Sequence, residues 1–310
     1  MALETLFATP SDITLIAKAL NSSLRLEILS LLKKKSMNIT ELCSALSIPQ
    51  STCTINIQIL EKAGLIECSR VSAESHGTQK ICSLKHNKIL ISLFDEEKRN
   101  SNDSKAIVTE MPIGLFSDAA VSSPCGIISD KGMIGYFDNP SSFLLPSRAS
   151  AGLLWFTYGY LEYKFPKNFE ASTSLKSLSF SAELCSEYPG YNNSWPSDIY
   201  LSINKKEVGT WTSTGDNGGK RGLLTPEWWG IEQSQYGTKK SWIVKEDGTF
   251  FEDGSKASSF TIKDLEIDKF DSILVQIGVK EDATNRGGIN IFGSSFGNYL
   301  QDLELAVELN

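Results

Sequence analysis

Asn38–Ile66, NITELCSALSIPQSTCTINIQILEKAGLI, is the stretch whose reading decides the fold. Thr40 can cap a short helix from Glu41 to Leu46, because a threonine oxygen accepts from a free amide of the first turn. Ser47-Ile48-Pro49 is a turn, and Pro49 or Gln50 opens a second helix, since proline's fixed φ suits a first helical turn. That helix runs to about Lys62 and stops at Ala63-Gly64, where glycine can take a positive φ. Ile55, Ile59 and Leu60 are expected to face the core. Gln50, Ser51, Thr52, Thr54, Asn56 and Gln58 are left for the outer face or the N-terminal end. Small hydroxyls and amides of this kind suit base edges and phosphates in a DNA major groove.

The segments on either side complete a domain. Ser11 or Asp12 can cap a helix carrying Ile13, Leu15, Ile16 and Leu20. A second apolar helix, Ser23 to Leu32, ends in Lys33, Lys34 and Lys35, cations that suit a helix C-terminus and could also meet phosphates. After the quoted stretch, Leu65–Val71 and Gln79–Leu84 read as two strands joined by a polar connection. Two helices around a turn followed by such a hairpin make a winged helix. Arg70, His76 and Lys80 on the wing are further candidates for DNA contact. Asn87 to Phe94 is expected to add one more apolar helix.

On these residues the chain resembles the winged-helix repressors of the ArsR family. The stretches that carry the likeness are LIAKALNSSLRLEILSLL (15–32), ITELCSALSIPQSTCTINIQILEKAGLIE (39–67) and the wing. The resemblance implies a homodimer built from the first and last helices, with one recognition helix per half-site of a double-stranded operator. Many members of that family sense metals through a Cys-x-Cys pair at the start of the helix before the turn. Asn38 and Thr40 occupy the corresponding positions here and only Cys43 lies nearby. A single thiolate does not make a zinc or arsenite site, so no metal and no cofactor is expected.

Charge divides the chain. Residues 1–100 hold 12 Lys and Arg against 10 Asp and Glu, a balance of +2, whereas residues 101–310 hold 18 against 27, a balance of −9. The acidic part is a poor partner for phosphate. Asp95 to Lys105, DEEKRNSNDSK, has no apolar residue and reads as a linker. The expected organisation is a winged helix over 1–94, a linker over 95–105 and a second domain over 106–310. No apolar run of about 18 residues is present, so no membrane partner is expected. The N-terminus lacks the pattern of a secretory signal, and the six scattered cysteines read as reduced thiols, both consistent with a cytoplasmic protein.

From Ala106 onward short β-rich runs alternate with Gly, Asn, Asp and Pro clusters. Strands are expected at Leu153–Tyr158 and Tyr160–Phe165, over the alternating run Leu178 to Cys185, and at 272–279, 288–292 and 303–309. Hairpins are expected across 204–206 and 246–248. About ten strands without a long helix indicate a jelly-roll-like β-sandwich, so the whole chain reads as multidomain α+β. Stretches such as LCSEYPGYNNSWPSDIYLSINKKEVGTWTSTGDNGGKRG and TPEWWG resemble the large C-terminal domain of a subgroup of winged-helix regulators from Gram-positive bacteria. That resemblance implies a sensing or interaction domain, similar in shape to carbohydrate-binding modules.

All six tryptophans lie in this part. Trp195, Trp211, Trp228, Trp229 and Trp242, with Asp198 and Arg221 among them, combine flat rings with polar forks, which is what a sugar requires. Trp228 and Trp229, if on a strand, point to opposite faces, so at most one belongs to the core. The loop from Gly215 to Gly222 lacks the spacing of a phosphate loop and reads as mobile. Lys280-Glu281-Asp282 reads as a solvated turn or a polar rim. The second part contains no histidine, which removes Ser-His-Asp and Cys-His schemes, and no spacing singles out a carboxylate pair. An enzyme is therefore not expected. The best reading is a repressor whose β-domain senses a carbohydrate or another small molecule. The alternative is a regulator whose β-domain serves protein interaction or dimerisation.

Overall fold

The computed structural model describes residues 4–72, 78–91, 93, 106–170 and 173–310. It divides into two compact units, 1–100 and 101–310, each considered by itself. The first contains β1 (Glu4–Ala8), α1 (Ile13–Leu20), α2 (Ser23–Lys34), β2 (Met37–Asn38), α3 (Ile39–Leu46), α4 (Gln50–Lys62), β3 (Ile66–Ser72), β4 (Thr78–Leu84) and β5 (His86–Ile91). β2, β4 and β3 form an antiparallel sheet in that order, with Arg70 opposite Lys80 on the wing.

Helix α3 starts two residues earlier than expected. Asn38, not Thr40, is its cap: Asn38 Oδ1 accepts from Glu41 N at 2.8 Å, and Glu41 Oε2 accepts from Asn38 N at 2.7 Å. This reciprocal pair satisfies two amides, where a lone threonine cap satisfies one. Helix α4 buries Cys53, Ile57 and Leu60, at i, i+4 and i+7, against Ile28, Leu32, Leu42 and Cys82. Ile59 only borders this core, and Ile55, expected inside, is 58% exposed. A helix turns about 100° per residue, so Ile55 cannot share a face with Ile57.

The run expected to form a last helix is the strand β5, which pairs in parallel with β1, Leu6 opposite Ile89 and Phe7 opposite Leu90. A short apolar run has no period that separates helix from strand, and here the partner strand decides. Residues 92 and 94 of the expected helix lie outside the described residues. Among the described residues no helix is long and apolar enough to cross a membrane.

The second unit is a sandwich of two antiparallel sheets, and among the described residues its strands number fifteen rather than about ten. They are β6 (Ala106–Met111), β7 (Asp118–Val121), β8 (Cys125–Ser129), β9 (Gly132–Met133), β10 (Leu153–Phe156), β11 (Gly159–Pro166), β12 (Leu175–Cys185), β13 (Ser197–Ile203), β14 (Lys206–Ser213), β15 (Thr238–Lys245), β16 (Gly248–Phe251), β17 (Lys256–Ser258), β18 (Ser272–Val279), β19 (Ile289–Phe292) and β20 (Leu303–Leu309). The larger sheet runs β17-β16-β15-β12-β19-β10-β8-β9, with β20 joining β12 to β6. The smaller runs β14-β13-β18-β11-β7. One core joins the inner faces, with Phe180, Trp242 and Ile291 from the larger sheet and Tyr163, Leu201 and Ile277 from the smaller.

The larger sheet is also covered over part of its outer face. Ile128, Leu153, Cys185 and Phe292 pack there against Trp229 and Phe296. Glu183 is only 2% exposed on the same face, where alternation along β12 would place a solvated side chain. Its carboxylate accepts from the backbone N–H groups of Gly237, Asn298 and Tyr299 at 2.8–3.0 Å. The covering loops are thus tied to the strand beneath them.

Removing the side chain of Ile57 should lower stability by about 2–5 kcal/mol, whereas Ile55→Ala should change it by less than about 0.5 kcal/mol. Chemical denaturation of the two variants tests the assignment of inner and outer faces on α4.

Candidate nucleic-acid interface and ligand cleft

The outer face of α4 presents Gln50, Ser51, Ile55, Gln58 and Lys62, all exposed, with Thr52 and Thr54 half-buried beside them. Ser51, Ile55, Gln58 and Lys62 follow one another at i, i+4, i+7 and i+11, a single stripe along the helix. The Thr54 hydroxyl donates to the Gln50 carbonyl at 2.8 Å and keeps its lone pairs. Ile55 was missed as a surface residue because its apolar character argued for burial. An apolar side chain between polar ones can contact a thymine methyl in a major groove.

Asn56 does not belong to this face. It is 9% exposed, accepts from Arg25 Nη1 at 3.0 Å and donates to the Thr52 carbonyl at 2.8 Å. The same guanidinium donates to the carbonyls of Lys18, Ala19 and Asn21. Arg25 and Asn56 therefore fasten α1, α2 and α4 together, and an engaged amide in the interior cannot read a base. On the wing Arg70 is exposed, while Lys80 is half-buried and ion-paired to Glu61 at 2.7 Å. His76 lies outside the described residues. Lys33, Lys34 and Lys35 are exposed at the end of α2.

The second unit holds a cleft of about 470 Å³ on the outer face of its larger sheet. Its floor follows from strand register. Cys185, Asn290, Trp155 and Gly126 are paired in one row across β12, β19, β10 and β8, so their side chains share a face. A Cβ on Gly126 would collide with the Trp155 indole, so glycine lets the ring lie across the sheet. Phe137 and Trp229 flank Trp155 with ring centroids 5.3 and 6.0 Å away. Asp138 and Glu187 line the same cleft. Asp138 has φ +57°, and its Oδ1 accepts from Cys125 N at 3.1 Å.

Asn290 is 1% exposed; its Nδ2 donates to the Ser186 carbonyl and the Ser234 hydroxyl, and its Oδ1 has no partner. Behind the cleft Asp216 is fully buried and accepts from Tyr188 N and Ser234 Oγ at 3.0 and 2.9 Å. Burial pushes the carboxyls of Glu183, Glu187 and Asp216 up to about 7.

Of the seven residues expected to bind a ligand, Trp229 alone lines this cleft. Its Nε1 donates to the Ser234 carbonyl at 2.8 Å. Trp242 is fully buried between Phe180 and Phe251 in the sandwich core and cannot meet a ligand. Trp211 packs on the same core, with Lys240 Nζ 5.7 Å from its ring centroid. Arg221 is occupied by the carbonyls of Pro226 and Trp229 and acts as a strap for their loop. Trp228, 44% exposed, donates to the Asp130 carbonyl, and Trp195 packs edge-on against Tyr188.

Trp228 and Trp229 sit in a turn rather than a strand, with ring centroids 5.7 Å apart, and both meet Phe296. The loop expected to be mobile is anchored through Asp216 and through Asn217, which donates to the Tyr236 carbonyl. Asp198, held by Asn285 and Thr212, borders a second depression of about 260 Å³ with Lys280, which pairs with Glu207 at 2.6 Å. Trp155, Phe137, Glu187 and Asn290 were missed as site residues. Their signal lies in pairing between strands distant in sequence, which no local pattern carries.

Residues 20–69 match the family described as helix-turn-helix domain. Together with the sheet that follows α4, this makes the N-terminal unit a winged helix-turn-helix. Two solved structures of the same fragment from Mycobacterium bovis are similar to it at 27% identity, TM-score 0.22, over 24% of this chain. One, covered over 75% of its own length, is a possible transcriptional regulatory protein. The other, covered over 65%, is the homodimeric winged helix-turn-helix DNA-binding domain of a possible ArsR-family transcriptional regulator. The carbohydrate-binding module CBM36, solved with calcium and xylotriose, is similar at 11% identity and TM-score 0.27, over 65% of this chain and 99% of its own. No curated protein matches the chain in sequence.

Glu183, Glu187 and Asp216 titrate below 5 when unfolded and near 7 when folded, so the folded chain holds more protons between those values. Their contribution is therefore full below the unfolded values and is lost as pH rises towards and through about 7. The melting temperature of the β-sandwich should fall between about pH 5 and pH 8. Scanning calorimetry across that range checks the sign.

Proposed function

We propose that the chain is a DNA-binding transcriptional regulator, acting as a homodimer and as a repressor, whose β-sandwich senses a small effector of the carbohydrate class. The observation that carries the DNA-binding part is the outer stripe of α4. Ser51, Thr54, Ile55 and Gln58 supply hydroxyl, methyl and amide contacts of the sort that distinguish base pairs. Lys33, Lys34, Lys35, Lys62 and Arg70 are exposed on the same unit and supply charge for phosphates. A homodimer places one α4 on each half-site. Such a regulator works where the DNA is, in the cytoplasm of a bacterium.

The sensing role rests on the cleft beside Trp155. Rings that can stack on the CH face of a sugar stand next to carboxylate and amide oxygens that can hold hydroxyls. Effector binding alters repression to the extent that the ligand prefers one of two DNA-binding states.

Fluorescence anisotropy on an operator selected from random duplexes tests this reading. Thr54→Ala or Gln58→Ala should weaken operator binding by about 1–3 kcal/mol and leave random DNA nearly unchanged. Lys34→Ala should lower affinity for both and reduce the salt slope by about 1. Asn56→Ala should destabilise the fold by about 1–3 kcal/mol in denaturation, because it leaves Arg25 with an unpaired donor. Equal loss on operator and random DNA for the first pair would contradict base reading.

A further inference from the structure

The cleft beside Trp155 has a charge character that narrows its ligand. Asp138 and Glu187 line it, and no lysine or arginine does among the described residues. Glu187 is half-buried, and no hydrogen bond or ion pair engages its carboxylate among the described residues. Burial acts most strongly on this carboxyl, Asp216 and Asp138 act in the same direction, and no cation lines the cleft with them. A carboxylate-lined cleft of this kind disfavours phosphates, sulfates and carboxylates. The −9 balance of residues 101–310 acts in the same direction over a longer range.

A second observation is independent of the acids. Asn290 Oδ1 is a fully buried acceptor with no partner, on a side chain that lines the same cleft. Native interiors rarely leave such an oxygen open, and each case calls for a missing donor. Its own Nδ2 is committed to Ser186 and Ser234, so the oxygen is the atom of this side chain left without a partner. The missing partner is therefore a hydrogen-bond donor. The walls are Trp155, Trp229 and Phe137, whose ring faces attract a cation and accept the CH face of a saturated ring.

We propose that this cleft binds a primary ammonium group carried on a saturated ring, the chemistry of an amino sugar. The three N–H donors of a primary ammonium match the acceptors Glu187, Asp138 and Asn290 Oδ1, and the ring body rests against the indoles. This rests on the reading of the cleft as the effector site and deepens it from carbohydrates in general to cationic ones. Among the described residues no three His, Cys, Asp or Glu form a cluster that could hold a metal.

Titration calorimetry of the full chain with glucosamine, glucose, N-acetylglucosamine and calcium chloride, each alone, tests the proposal. Glucosamine should bind more than about tenfold tighter than either neutral sugar, and Glu187→Gln should remove that preference. Asp138→Asn should act in the same direction. It keeps an oxygen for Cys125 N and tolerates the left-handed backbone at 138, so it serves if the first variant misfolds. Equal binding of all three sugars would overturn the cationic ligand and leave the effector reading standing. Binding of none of them would overturn both. Binding of calcium in place of glucosamine would overturn the ammonium assignment.

Discussion

The β-sandwich depends on two carboxylates that water does not reach. Glu183 and Asp216 lie on the outer side of the larger sheet, and each is surrounded by N–H and O–H donors from loops far away in sequence. A buried carboxylate costs several kcal/mol unless its lone pairs are filled, so the loops that fill them are held where they are. The segments 222–237 and 293–301 fold back over the sheet and bring Phe296, Trp228 and Trp229 with them. Without those donors the outer face of β12, β19 and β10 would be open, and the cleft would lose the wall formed by Trp229.

The winged helix solves a related problem with a cation. Arg25 answers three carbonyls near the end of α1 and the amide of Asn56 on α4. One side chain thus sets the angle at which the recognition helix leaves the domain. The capping box of Asn38 and Glu41 does the same locally for α3. Polar side chains define the geometry here, and the apolar core of Ile28, Leu42, Ile57 and Leu60 fills the space that they enclose.

Much of this was legible in the sequence, and the division follows the range of the interactions. The helix α4 and its neighbours showed through caps, proline and glycine, which are local signals. The hairpins β13–β14 and β15–β16 showed for the same reason. The strand β5 was hidden because its partner β1 is some eighty residues away and its apolar run has no period. Asn56 looked like a base reader because nothing near it in sequence announces Arg25. The tryptophans were weighed as a group, yet their roles separate by position. Trp242 fills the core, Trp228 holds a loop and Trp229 walls the cleft. Trp155, the centre of the cleft, showed only as a strand residue, since its place depends on Gly126 and Asn290 across two pairings.

The division of labour along α4 bears on how such a protein can diverge. Ser51, Ile55 and Gln58 are exposed and outside the core, so mutations there leave the domain folded. Position 56 is closed to that drift by its bond to Arg25. On the proposed reading, duplicated copies of this gene acquire new target sites through the outer stripe alone, with the framework and the β-sandwich inherited unchanged.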